Sequence, residues 1–235
     1  MCLLTFLPAS VRPDLQALAN GAVLNDDGHG FAIVTTTGLL VRRGMNADRL
    51  IDEFAAARTR HPDGDALFHS RLATAGRIDV ANCHPYAVGG DQRTVLAHNG
   101  ILPIRVRRRD PRSDTKLAAE ELIPSLGSLR HRRTRRRLQQ WMGPANKIVI
   151  LSVDRRFRHT SYLLNEHAGE WANGIWYSNR DYLPSPDPLI GRWPVCRACG
   201  GPLADRDEQC AWCGACCDCG MPLGYCLCHY PTLRP

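Results

Sequence analysis

The chain has 235 residues, 44% of them hydrophobic and 23% charged, enough to fold around a sizeable core as one large domain or as a domain with a small module. No apolar run approaches the roughly 18 residues needed to span a bilayer, and MCLLTFLPASV lacks the basic start of an export signal. Membrane and secretory classes are therefore set aside and a cytoplasmic protein is expected; the net charge of +7 leaves acidic partners open.

In chain order, CLLTFLP reads as a short buried strand, and HGFAIVTTTGLLVRRG as two strands joined by a turn at Thr37-Gly38. ADRLIDEFAAARTR places apolar residues at helical spacing and predicts an amphipathic helix over 47–60. ALFHSRLAT and RTVLAHNGIL follow as strands, each delivering polar groups at its end. KLAAEELIPSL and LRHRRTRRRLQQWM read as helices, and NKIVILSVD, HTSYLLNE and GIWYSN as strands. Strands and helices come in blocks rather than strict alternation, so the expected class is α+β with mainly antiparallel sheet.

Nine of the eleven cysteines lie between Cys196 and Cys228. The stretch DYLPSPDPLIGRWP (181–194) carries four prolines and suits an extended linker. We therefore expect a catalytic-sized domain over residues 2–185 and a cysteine-rich tail over 186–235. In the tail, Cys196 and Cys199 form one pair and Cys210 and Cys213 another, the spacing with which four thiolates enclose a structural zinc ion. This resembles a zinc ribbon, a docking module rather than a reaction centre. A second zinc has candidate ligands in Cys216, Cys217, Cys219, Cys226, Cys228 and His229, with Cys216, Cys219, Cys226 and Cys228 one possible set; the spacing does not choose among them. A disulfide scaffold is the alternative, disfavoured in a reducing compartment.

Cys2 follows an initiator Met that aminopeptidases remove ahead of small residues. Removal would give Cys2 a free α-amine, with a reference pKa of about 8, beside its own thiol. Nucleophile and base would then sit on one residue. Read with this start, HSRLAT (69–74), NCHPY (82–86), AHNGIL (97–102), SDT (113–115) and a late WYSNR (176–180) resemble, in order and spacing, the signature blocks of class II glutamine amidotransferases, the N-terminal-nucleophile family.

The resemblance covers about residues 2–180 and implies a four-layer αββα sandwich of the N-terminal-nucleophile hydrolase kind. It implies Cys2 as the nucleophile on the glutamine side-chain amide, with no cofactor in catalysis. Asn99 and the Gly100 N–H would stabilise the oxyanion. Arg71 would clamp the α-carboxylate, Asp114 would pair with the α-ammonium, Thr74 would lie near the carboxylate, and His84 would shape the site. Two positions depart from the family pattern: Ala75 stands where His often follows the Thr, and Lys116 where an acidic residue is usual.

Other residues have plainer readings. His69 and His98 are expected to be hydrogen-bonded structural residues and Cys83 a small buried one. Asn25, Asp26, Asp27 and His29 are expected to build fold. RVRRRDPR (105–112) and RHRRTRRR (130–137) hold eleven Arg, so a nucleic acid or an acidic protein surface is a plausible partner; neither run is interleaved with aromatics. The leading expectation is a glutaminase that passes ammonia to a synthetase on a separate chain. The alternatives are an N-terminal-nucleophile hydrolase acting on another amide, and a non-catalytic zinc-ribbon module that binds nucleic acid.

Overall fold

β1 (Leu3–Leu7) is apolar on both faces because both are covered. Leu3 and Leu7 join a core under helices, while Leu4 and Phe6 join a second core between sheets. A computed structural model describes residues 2–107, 109–184 and 214. The chain divides between Pro184 and Ser185, and the fold below belongs to the first unit. The expected zinc ligands Cys196, Cys199, Cys210, Cys213, Cys216, Cys219, Cys226 and Cys228 lie outside the described residues.

The other strands are β2 (His29–Thr35), β3 (Gly38–Gly44), β4 (Ala66–Ser70), β5 (Tyr86–Val88), β6 (Asp91–Asn99), β7 (Lys147–Ser152), β8 (Ser161–Leu164), β9 (Glu170–Ala172) and β10 (Ile175–Tyr177). They form a six-stranded sheet in the order β3-β2-β4-β1-β10-β9 and a four-stranded sheet in the order β5-β6-β7-β8. Their pairings are antiparallel. Leu4, Phe6, Ala32 and Leu67 of the first sheet pack on Val95, Ala97, Val149 and Leu151 of the second.

Helices cover the outer faces. α1 (Leu15–Leu24) and α2 (Ala47–Arg60) lie on the first sheet, where Leu18, Leu50 and Phe54 meet Phe31, Ile33 and Phe68. On the second sheet α3 (Asp114–Leu117) runs through a π-helical turn, Ala118–Leu122, into α4 (Ile123–Ser125), followed by α5 (Arg132–Met142). Ala118, Ile123, Leu138 and Met142 pack there on Leu96, Ile148 and Ile150. The result is the helix–sheet–sheet–helix layering expected from the sequence, and no helix among the described residues is long and apolar enough to cross a membrane.

Three features differ from the sequence reading. α1 was not foreseen, β5 and β9 are additional short strands, and the β2–β3 turn falls at Thr36-Thr37. The domain also extends beyond its last strand: Tyr182 stacks on Tyr177 with ring centroids 3.9 Å apart, and Asn20 donates to the Tyr182 carbonyl at 2.9 Å.

Gly30 on β2 determines how closely the 82–86 turn approaches the first sheet. A Cβ there would overlap the His84 carbonyl oxygen and lie 2.7 Å from that of Arg42, both backbone atoms with little freedom to move. Gly30→Ala is expected to destabilise the domain by about 1–3 kcal/mol, the usual cost of overpacking, read as a lower urea midpoint. An unchanged midpoint would show that the 82–86 turn yields freely.

Candidate active site

In the β1–β4 pairing Leu3 lies opposite Ser70 and Leu4 opposite His69. Extending this register by one residue sets Cys2 beside Arg71. The Leu72 N–H donates to the Cys2 sulfur at 3.3 Å, and the thiol lies 3.5 Å from the Leu72 carbonyl. The Cys2 carbonyl is held from two directions: Asn99, ending β6, donates to it through Nδ2, and Asn179, two residues past β10, donates at 2.9 Å. Next to Asn179, the Ser178 hydroxyl accepts from the Leu4 N–H at 2.9 Å. Strand ends from both sheets thus converge on one residue.

Burial pushes the Cys2 thiol above its ordinary value, against the opposing pull of the Leu72 N–H and the Arg71 charge. The thiol is therefore protonated at neutral pH, and its use as a nucleophile requires a base.

Arg71 is buried, and its guanidinium donates to the Ala75 carbonyl at 2.7 Å and the Arg77 carbonyl at 3.1 Å. Two of its five N–H groups are thereby used and three remain for a ligand. Asp27 fastens the same segment: its N–H donates to the Arg71 carbonyl at 2.9 Å and its carboxylate accepts from the Ala73 N–H at 2.7 Å. Thr74 is exposed on the loop between these anchors.

Asp114 opens α3, nearly buried, with its carboxylate accepting from the Leu102 N–H at 2.8 Å and the Thr115 N–H at 2.7 Å. It thereby ties the chain after Gly100 to the helix start, and its oxygens retain lone pairs for a cation. Asn82 joins the Arg71 loop to the Asp114 helix. Its Nδ2 donates to the Arg77 carbonyl at 3.1 Å and the Pro111 carbonyl at 2.8 Å, and its Oδ1 accepts from the Ser113 N–H at 2.8 Å. Gly100 has φ +135°, and a Cβ there would overlap Asn146 Oδ1; a side chain is excluded by both conformation and space.

Behind this rim the interior is polar and uncharged. His84 stacks between His69 and Tyr86, at centroid distances of 4.0 and 4.6 Å, and neither of its nitrogens has a partner among the described residues. His69 Nε2 lies 3.0 Å from the His98 carbonyl, and His98 bridges Thr115 Oγ1 at 2.8 Å and Asn146 Oδ1 at 2.9 Å. Burial pulls His69 down to about 3, His84 well below its ordinary value, and His98 down as well. Burial likewise lowers Lys147, the strand partner of Asn99. Cys83 is buried, its thiol 3.6 Å from the Gly44 carbonyl.

The expected site residues Cys2, Arg71, Thr74, Asn99, Gly100 and Asp114 thus fall on strand ends and loops around one rim, with His84 beneath. Sequence reasoning missed Asn82, Asn146, Ser178 and Asn179 as organising residues, and assigned Asp27 only to fold. The late SNR triplet was the one available signal for Asn179.

No family model matches the chain, and no curated protein matches it. Several solved structures resemble it, two of them as follows. Glutamine phosphoribosylpyrophosphate amidotransferase from B. subtilis, complexed with ADP and GMP, is 16% identical, aligns over 75% of this chain and 41% of its own, and has a TM-score of 0.47. A structure described as the allosteric regulatory enzyme of purine biosynthesis is 17% identical over 65% of this chain and 35% of its own, with a TM-score of 0.42. The chain thus spans about two fifths or less of the length of either.

The buried histidines predict an acid response. The unfolded chain takes up protons on them near pH 6.5, whereas the folded chain resists until far lower, so their contribution is complete above pH 6.5 and is lost as pH falls. Each should cost up to about 1.4 kcal/mol per pH unit below that point. Urea unfolding at pH 7.5, 6 and 5 should show a falling midpoint in a range where carboxylates scarcely titrate. A flat midpoint would mean that the folded protein accommodates charged histidines.

Proposed function

We propose that residues 2–184 form a glutaminase of the N-terminal-nucleophile type, which supplies ammonia to an acceptor-aminating protein on another chain. The observation that carries this reading is the double clamp on the Cys2 carbonyl by Asn99 and Asn179, with the thiol at the Leu72 N–H and Arg71 alongside. A buried, protonated thiol needs a base. His69 and His84 are recessed and hold their nitrogens away from the sulfur, whereas the α-amine that Met1 removal would expose on Cys2 is attached to the same residue.

In the proposed reaction the amine takes the thiol proton as sulfur attacks the glutamine amide carbon. The resulting oxyanion is stabilised by the Asn99 side chain and the Gly100 N–H. The amine then passes the proton to the departing nitrogen, so that ammonia leaves and a thioester forms; water cleaves the thioester to glutamate and regenerates the thiol. The free donors of Arg71 suit the α-carboxylate and Asp114 suits the α-ammonium, which favours a free amino acid over an apolar amide. The partner is supported by apolar exposure at the rim. Of the ten large hydrophobic residues exposed among the described residues, Leu72, Ile78, Val80 and Ile101 lie in the segments flanking Cys2, and such a patch marks a contact surface.

The expected zinc ligands Cys196, Cys199, Cys210 and Cys213 remain part of the proposal as a structural zinc site in the tail, with no role in the chemistry.

The test is glutamate release from L-glutamine by full-length protein whose intact mass shows Met1 removed. Cys2→Ala should abolish release, and retention of Met1 should do the same. Asn179→Ala should lower kcat up to about tenfold, the worth of one positioning hydrogen bond, with KM little changed. Activity that survives Cys2→Ala would overturn the reading.

A further inference from the structure

The outer face of α5 carries no chemistry in the proposed reaction, yet it breaks several local rules at once. Its buried side is ordinary: Thr134, Leu138 and Met142 face the second sheet. Its outer side presents Arg132, Arg133, Arg136 and Arg137, all exposed. These make two rows of like charge at i, i+4, an arrangement that disfavours a helix. The first turn has no acidic residue and His131 gives no side-chain cap, so Arg132 and Arg133 sit where the helix dipole repels cations. None of the four forms an ion pair among the described residues.

Other arginines show both states: Arg42, Arg43 and Arg60 likewise form no ion pair among the described residues, whereas others are held. Arg112 reaches Asp110, Glu120 and Glu121, and Arg156 reaches Asp154. Arg135, within α5 itself, donates to the Leu129 carbonyl at 2.7 Å and lies 3.8 Å from the centre of the Tyr162 ring. The chain has 28 Arg and 2 Lys, so the choice of arginine says little; its placement, in like-charge rows at a helix start and against helix preference, is the informative fact. Local rules broken without compensation among the described residues point to a role in binding.

We infer that the Arg132–Arg133–Arg136–Arg137 face of α5 binds the phosphate backbone of a double-helical nucleic acid without reading its sequence. A protein partner would want an apolar or aromatic anchor at the centre of the contact. This face offers only Arg and Gln140, and the exposed large hydrophobics lie elsewhere. Single-strand binding would want several stacking aromatics, and the one aromatic of α5, Trp141, is half-buried and packs against the core of the second sheet. Phosphate contacts need neither.

The experiment is fluorescence anisotropy of a labelled duplex titrated with the full chain across 50–200 mM salt. Four phosphate contacts give a log–log salt slope near −3.6, about a 150-fold loss of affinity over that range. Each single Arg→Gln replacement on the face should reduce the slope by about one. The quadruple Arg→Gln variant should lose at least 20-fold in affinity at 50 mM while melting no lower than wild type, because it removes like-charge repulsion. Wild-type binding by the quadruple variant would overturn the assignment. So would polyglutamate of equal charge displacing the duplex, which would indicate an acidic protein surface, and so would a slope near zero.

Discussion

The candidate site depends on one junction: the Cys2 carbonyl, held by Asn99 from the four-stranded sheet and by Asn179 from the chain leaving β10 of the six-stranded sheet. Cys2 lies one residue outside β1. Its backbone oxygen joins the two layers, and its sulfur accepts from the Leu72 N–H. A shift in how the sheets pack would therefore be felt at Cys2. The small residues between them, Ala32 and Ala97, belong to the same core as Leu4 and Val95, so the distance between layers is set by close packing.

A second level of support lies in the loops. Arg71 and Asp114 come from different sheets' surroundings and share no direct hydrogen bond, yet Asn82 contacts the Arg77 carbonyl on one side and the Ser113 N–H on the other. The two charged ends of the site are thus spaced by a single buried amide. Backbone groups of a loop need partners as much as those of a strand do, and an asparagine with both donors and acceptor in use is a compact way to provide them. That Gly30 leaves room for the 82–86 turn is part of the same arrangement.

Much of this was legible in the sequence, and the exceptions have physical reasons. β1, β2, β4, β6 and β7 are apolar on both faces or alternate cleanly, so their polar ends stood out. α2 showed its stripe because Leu50, Phe54 and Ala57 recur at helical spacing and Asn46 caps it. α1 was missed because its buried side consists of Ala17, Leu18, Gly21 and Ala22, small residues that draw no amphipathic contrast and include a glycine that weakens a helix. Asn82, Asn146 and Asn179 were missed for another reason. Asn82 and Asn179 bond to backbone far along the chain and Asn146 to the distant His98 ring, and periodicity carries no trace of such contacts.

The electrostatics of the domain divide sharply between inside and outside. The interior behind Cys2 holds His69, His84 and His98, all kept neutral by burial. A histidine that strongly resists protonation is a poor general base. The stack of imidazoles therefore gives the thiol a polar, uncharged backing and leaves proton transfer to a group outside it. In the proposed reaction that group is the α-amine that removal of Met1 would expose on Cys2. Four exposed cations, by contrast, are gathered on the outer face of α5. The proposed polyanion face and the proposed amide chemistry at Cys2 therefore share no residue.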